Sequence, residues 1–196
     1  MNIVLLHGRW SEKINHTLII DIPLCNPNNR DNWMGWTKEQ LERQGHTVTC
    51  PIIINSWMAP YGQWKSELNK VPIDEKTVLV GWSAGGYAIL RYLGESGKRV
   101  KKVILVAPGS KYTATDEDPS PSKQEFYKYE ITHQLKDQIQ DGVTIFVSND
   151  RSEILQSIEI YRKTLNAKVV PLDGRGYFSF LIGTFPELVQ EIIAEL

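Results

Sequence analysis

The sequence predicts a three-layer α/β fold, with helices covering both faces of a six-stranded, mainly parallel sheet, in one domain over 1–196. Short runs of Val, Ile and Leu alternate with helix-period segments from one end of the chain to the other. Several of those runs are continuously apolar, the pattern of parallel strands covered on both faces. Gly45 and Gly97 stand just past helical segments, where a left-handed residue ends a helix.

The elements follow in order. The apolar run 3–6 is the first strand. A long polar connection over 8–32 comes next, carrying a hydrophobic insert at 16–22. A helix over 34–44 stops at Gly45, and a strand follows over 47–53. A helix over 60–70 leads to a strand at 77–80, a helix at 84–97 and a strand at 102–106. The stretch from Pro108 to Glu130 is rich in turn formers and acids, as in Asp116-Glu117-Asp118-Pro119-Ser120-Pro121. Long connections of this kind are usually either functional or disordered, and 108–140 is read as a cap or lid ending in a short helix near 122–140, with disorder as the alternative. A strand at 143–148, a helix at 152–165, a strand at 168–172 and a helix at 185–196 complete the chain. In such sheets function gathers where the strands end at their carboxyl edge, here near His7, Ser83, Ala107, Asp150 and Asp173.

Composition narrows the partners. Twenty-two basic residues against 23 acidic give a net charge of −1, so no basic footprint suggests nucleic acid or an anionic membrane. No apolar run approaches the roughly 20 residues that span a bilayer. The N-terminus has no basic region and too short an apolar run for a signal peptide. Two cysteines, Cys25 and Cys50, stand in no metal-ligand or redox spacing. A cytoplasmic protein without metal or cofactor is the expectation.

One motif carries chemistry. Gly81-Trp82-Ser83-Ala84-Gly85-Gly86 lies between the run 77–80 and the helical segment that follows. This is G-x-S-x-G in the strand–turn–helix setting of a nucleophile elbow. There the serine sits in strained backbone, glycines let the chain pass, and the new helix offers N–H groups to developing negative charge. A serine nucleophile needs a base and an acid that orients the base. Asp150, just past the strand 143–148, stands where the acid is expected; helix capping is the competing role. The loop after the last strand reads Asp173-Gly174-Arg175-Gly176-Tyr177-Phe178 and contains no histidine. Neither this loop nor 81–86 fits a nucleotide-binding pattern: no Gly-Lys-Ser/Thr ending and no acidic ribose contact is present.

These residues make the chain resemble the small single-domain serine hydrolases related to retinoblastoma-binding protein 9, a branch of the α/β-hydrolase fold. The likeness runs through His7-Gly8, the Trp33/Trp36 helix ending in Gln44-Gly45-His46, and Asp74-Glu75-Lys76-Thr77 before the elbow. It continues through Leu105-Val106-Ala107 and Ser148-Asn149-Asp150 to Gly176-Tyr177-Phe178. The resemblance implies a sheet in the order 2-1-3-4-5-6 and a triad of Ser83, Asp150 and a base at Tyr177, where relatives carry histidine. It implies an oxyanion hole from the backbone N–H groups of Ala84 and Arg9, and a substrate pocket at His7, Trp10 and Trp82, with Trp57 at its rim. Trp82 replaces a residue that is often His in relatives. Trp33, Trp36 and Trp64 are read as core residues.

Tyr177 is the consequential departure. A phenol titrating near 10 is a poor proton acceptor at pH 7, whereas imidazole near 6.5 is well matched. A phenolate base would need a cation beside it, and Arg9, Arg151 and Arg175 are the candidates. His7 and His133 are the histidines weighed as substitutes; His16 and His46 read as turn or surface residues. The expected function is hydrolysis of small esters or related acyl compounds. The alternative is a catalytically weak or inactive relative that binds a small ligand or a partner protein.

Overall fold

The computed structural model describes residues 1–9, 26–110, 121–179 and 181–194. The insert at 16–22, Trp10, His16, Cys25 and the whole of 111–120 lie outside the described residues. Six strands form one sheet: β1 (Asn2–Leu6), β2 (Thr47–Thr49), β3 (Thr77–Trp82), β4 (Lys102–Val106), β5 (Val143–Val147) and β6 (Lys168–Pro171). Their order is β2-β1-β3-β4-β5-β6 and every pairing is parallel. Helices α1 (Trp33–Arg43), α2 (Tyr61–Asn69), α3 (Ala84–Ser96), α4 (Pro121–Phe126), α5 (Ser152–Leu165) and α6 (Pro186–Ile193) flank it. The predicted class, strand number and strand order all hold.

Burial explains the unbroken apolar runs. Every residue of β3 and β4 is buried, as are Ile3 to Leu6 of β1. Lys102 in central β4 is tolerated because α6 delivers Glu191 to it at 2.8 Å, and Glu191 also accepts from Thr144 Oγ1 at 2.7 Å and from Lys168 Nζ at 3.0 Å. A buried charge persists when it is paired and hydrogen-bonded in this way. Trp33 and Trp64 are fully buried and Trp36 packs partly buried against the core, as read from the sequence.

Two elements differ from expectation. β2 stops at Thr49 instead of running to 53; Pro51 has no N–H for the ladder, and Ile53 turns its N–H to His7 instead. The helix expected near 122–140 divides into α4 and a separate 3₁₀ turn at His133–Gln138. Tertiary contacts cause the break: Tyr87 on α3 donates its hydroxyl to the Tyr129 carbonyl at 2.7 Å, drawing the intervening chain onto α3. Arg91 fixes the same segment, donating to the carbonyls of Glu125 and Phe126 at 2.6 and 2.9 Å and lying 3.8 Å over the Tyr61 ring.

Strand register places the site. Leu6 pairs with Gly81, Trp82 with Val106, Val106 with Phe146 and Val147 with Pro171. Strands β1, β3, β4, β5 and β6 therefore end nearly level. The residues that follow them, His7, Ser83, Ala107, Ser148 and Leu172, share one edge.

Candidate active site

Ser83 joins β3 to α3 at φ 53° and ψ −122°, a conformation that is strained for any residue with a side chain. Its backbone is held on both sides. The Ser83 N–H donates to Val106 O at 2.9 Å, and its carbonyl accepts from the N–H groups of Gly86 and Gly109, each at 3.1 Å. The motif glycines are there for space. A Cβ on Gly81 would stand 2.5 Å from Gly86 Cα, and one on Gly85 would stand 2.5 Å from the Leu6 carbonyl oxygen. Strand, elbow and helix can approach this closely only without side chains at those points.

The turn after β1 passes beside the serine. A Cβ on Gly8 would lie 2.9 Å from Ser83 Cβ, so the His7-Gly8-Arg9 backbone skirts Ser83. Ala84 opens α3, and its N–H belongs to the first-turn donors that have no acceptor within the helix. The Arg9 side chain turns away, donating to the carbonyls of Trp57 and Ala59 at 3.2 Å each and covering the Phe126 ring at 4.3 Å.

The loop after β6 delivers Tyr177. Gly176, Tyr177 and Phe178 all have positive φ (40°, 57° and 50°), three left-handed residues in succession. Non-glycine residues hold such backbone only where their surroundings fix it, and here they do. Trp33 Nε1 donates to Phe178 O at 2.8 Å and Trp82 Nε1 to Tyr177 O at 3.0 Å. The Arg175 N–H donates to Ser148 Oγ at 3.0 Å, and the Phe178 ring stacks on Phe185 at 5.1 Å. The outcome is a hydrogen bond between Tyr177 Oη and Ser83 Oγ. Burial raises the Tyr177 phenol above its ordinary value, against the hydrogen bond to Ser83 and the nearby Arg151 charge, which lower it.

Asp150 lies in the same neighbourhood, half-buried. Its Oδ2 accepts the Ser148 N–H at 2.8 Å, while buried Oδ1 has no partner among the described residues. Burial lifts its carboxyl above the usual aspartate value, opposed by the Ser148 hydrogen bond and by Arg151. Of the three arginines weighed as partners for Tyr177, Arg151 faces it, with its guanidinium carbon 5.5 Å from the ring centroid. Arg175 pairs with Glu187 at 2.5 Å.

Other expected residues take different places. His7 is fully buried: its Nδ1 hydrogen is directed at Gly8 O at 2.6 Å, and its Nε2 accepts the Ile53 N–H at 2.9 Å. Burial pushes its imidazole down to about 4, against that Gly8 contact, so it is neutral and fully engaged by backbone. It braces the turn and is not exposed to a pocket. Trp82, only 5% exposed, is the strut that holds Tyr177, a role the sequence reading missed. An indole next to the serine was the available signal. His133 is exposed on the 3₁₀ turn. Trp10 lies outside the described residues. Among the described residues no group of three or more His, Cys, Asp or Glu is arranged to hold a metal ion, and no helix is long and apolar enough to cross a membrane.

This elbow on this sheet defines the class. The family model described as alpha/beta hydrolase fold matches residues 64–171, more than half of the chain, and the chain belongs to that family. Its structure resembles that of the ydeN gene product of Bacillus subtilis, at TM-score 0.72 and 18% identity, over 98% of this chain and 97% of that one. It also resembles Est1E from Butyrivibrio proteoclasticus, solved with ferulic acid, at TM-score 0.62 and 13% identity, over 99% and 86% of the two chains. Carboxylesterase CesB (YbfK) from Bacillus subtilis is similar at TM-score 0.54 and 15% identity, over 98% and 82%. No curated protein matches the sequence.

Proposed function

We propose that this protein is a serine hydrolase of small esters or related acyl compounds, with Ser83 as nucleophile and with slow turnover at neutral pH. The observation that carries the reading is the strained Ser83 elbow with its hydroxyl bonded to Tyr177 at the sheet edge. In the reaction Ser83 Oγ forms a bond to the acyl carbon and its proton passes to the Tyr177 oxygen. The oxyanion is met by the N–H groups of Ala84 and Arg9. The C–O bond to the alcohol then breaks, with the same proton returned to the leaving oxygen, and water releases the acyl group by the reverse route. Asp150, whose charge acts on Tyr177, is the acid of the set, and Trp82 and His7 fix the two turns that frame the serine.

Tyr177 accepts a proton only as phenolate, and its burial makes the phenolate scarce at pH 7. Loss of a triad base costs on the order of 10⁶ in turnover and leaves roughly 10³ to 10⁴ over water. The sequence likeness to hydrolases related to retinoblastoma-binding protein 9 supports the same reading. A cytoplasmic setting fits a buried, unpaired Cys50.

One observation favours a second reading, a binding protein without turnover: the base position holds a phenol that occupies the serine hydroxyl. Labelling with a fluorophosphonate at pH 7 separates the two. Labelling of Ser83 at least tenfold faster than background labelling of the Ser83→Ala protein supports the hydrolase; equal rates leave the binding protein.

A further inference from the structure

Arg151 stands where helix chemistry argues against it. It is the N-cap residue of α5, a position that favours Ser, Thr, Asp or Asn, and its side chain makes no capping bond. A cation there also meets the positive end of the helix dipole. Among the described residues its guanidinium joins no ion pair. What it faces is Tyr177: the guanidinium carbon lies 5.5 Å from the ring centroid, within the range of a cation–π contact. The other two arginines near this loop are occupied. Arg9 donates to the carbonyls of Trp57 and Ala59, and Arg175 pairs with Glu187.

The chemistry of a phenol base gives this contact a meaning. An imidazole base is neutral before it takes the serine proton and cationic afterwards, so a carboxylate beside it helps. A phenol base is anionic before and neutral afterwards, so it needs a cation, and a carboxylate hinders it. As the proton leaves Ser83 Oγ for the Tyr177 oxygen, the negative charge passes from the phenolate to the oxyanion. Asp150 is poorly matched to such a base: its buried Oδ1 has no partner among the described residues, and a phenol ring has no N–H to offer it. Burial raises the Tyr177 phenol most; of the neighbouring charges, Arg151 lowers it and Asp150 raises it. Ser83 and Trp82, from the turn between β3 and α3, are neutral, as is buried His7. On the loop of Tyr177 itself, Asp173 is exposed.

We propose that Arg151 is the charge partner of the Tyr177 base, a positioning residue that favours the phenolate and fills, with reversed sign, the part Asp150 would play beside an imidazole. This role rests on the reading of Tyr177 as the base for Ser83.

The test reads the proton on position 177 directly. A fluorinated tyrosine placed there in the full chain titrates nearer neutral pH than tyrosine, and its fluorine NMR signal reports the midpoint with or without turnover. The midpoint should rise by about 0.5–1 pH unit in Arg151→Gln. It should rise by less than half as much in Arg151→Lys, which keeps the charge. It should fall in Asp150→Asn, whose amide oxygen can still accept the Ser148 N–H. Arg151 is exposed, so both of its variants should fold as the parent does, which circular dichroism checks. An unchanged or lower midpoint in Arg151→Gln overturns the proposal, as does an equal rise in Arg151→Lys or any rise in Asp150→Asn. Fluorophosphonate labelling separates this from the reading beneath it. Unshifted midpoints with rapid Ser83 labelling overturn Arg151 alone, whereas shifted midpoints with labelling at background overturn the base and, with it, the catalytic use of Arg151.

Discussion

Tyr177 Oη and Ser83 Oγ, 94 residues apart in sequence, are hydrogen-bonded across the carboxyl edge of the sheet. The pair brings a phenol to the place where a hydrolase serine needs its base. Backbone geometry makes it informative, because Tyr177 sits at φ 57°, in the left-handed region where histidine and asparagine are among the better-tolerated residues.

Tyr177→His is therefore compatible with the loop as built. It should raise kcat/KM for a p-nitrophenyl ester by at least tenfold, measured against the unsubstituted protein at pH 7. Unchanged turnover would falsify the assignment of position 177 as the base.

The pH profile distinguishes the two side chains. Burial holds the Tyr177 phenol above its ordinary value, and the proposed mechanism requires the deprotonated form. Ester hydrolysis by the natural protein should climb about tenfold per pH unit from 7 toward 10 without levelling. The Tyr177→His protein should instead level off above roughly pH 6.5–7. A plateau near neutrality in the natural protein points to a different base.

Space at the elbow is equally testable. A methyl group at Gly85 would meet the carbonyl oxygens of Leu6 and His7, both backbone. Gly85→Ala should lose about 1–3 kcal/mol of stability, the usual cost of overpacking, and should slow fluorophosphonate labelling of Ser83. Chemical denaturation and labelling kinetics check the two halves. Gly62→Ala, with open space around the added methyl, is the neutral control.

Away from the site, Glu191 ties α6 to β4 and β5. Burial alone would raise its carboxyl, but hydrogen bonds from Lys102, Thr144 and Lys168 prevail and hold it at about 2. Folded below its ordinary 4.5, the group contributes stability that is fully present above about pH 4.5 and fades as pH falls toward 2. Glu191→Gln should lower stability at pH 7 by about 1–3 kcal/mol, less than a fully buried pair because Lys168 is largely exposed. It should also flatten the fall in melting temperature between pH 4.5 and 2.

The sheet was legible because its strands are buried on both faces: Val78 to Val80 and Val103 to Val106 had no polar face to blur the signal. The elbow was legible because close packing forces glycine at 81 and 85. β2 was overestimated because the apolar run continues past Pro51, which cannot donate to the ladder, and because the Ile53 N–H turning to His7 is a long-range contact. For the same reason the roles of His7 and Trp82 were hidden. Each is set by a backbone group 46 or 95 residues away, and no local pattern encodes that distance.

The bend at 176–178 is gripped from outside, by two indoles, one serine hydroxyl and a stacked phenyl ring. Its apex thus behaves as a socket. The side chain at that apex can be exchanged while the frame stays put, so one codon sets whether the Ser83 hydroxyl meets a phenol or an imidazole.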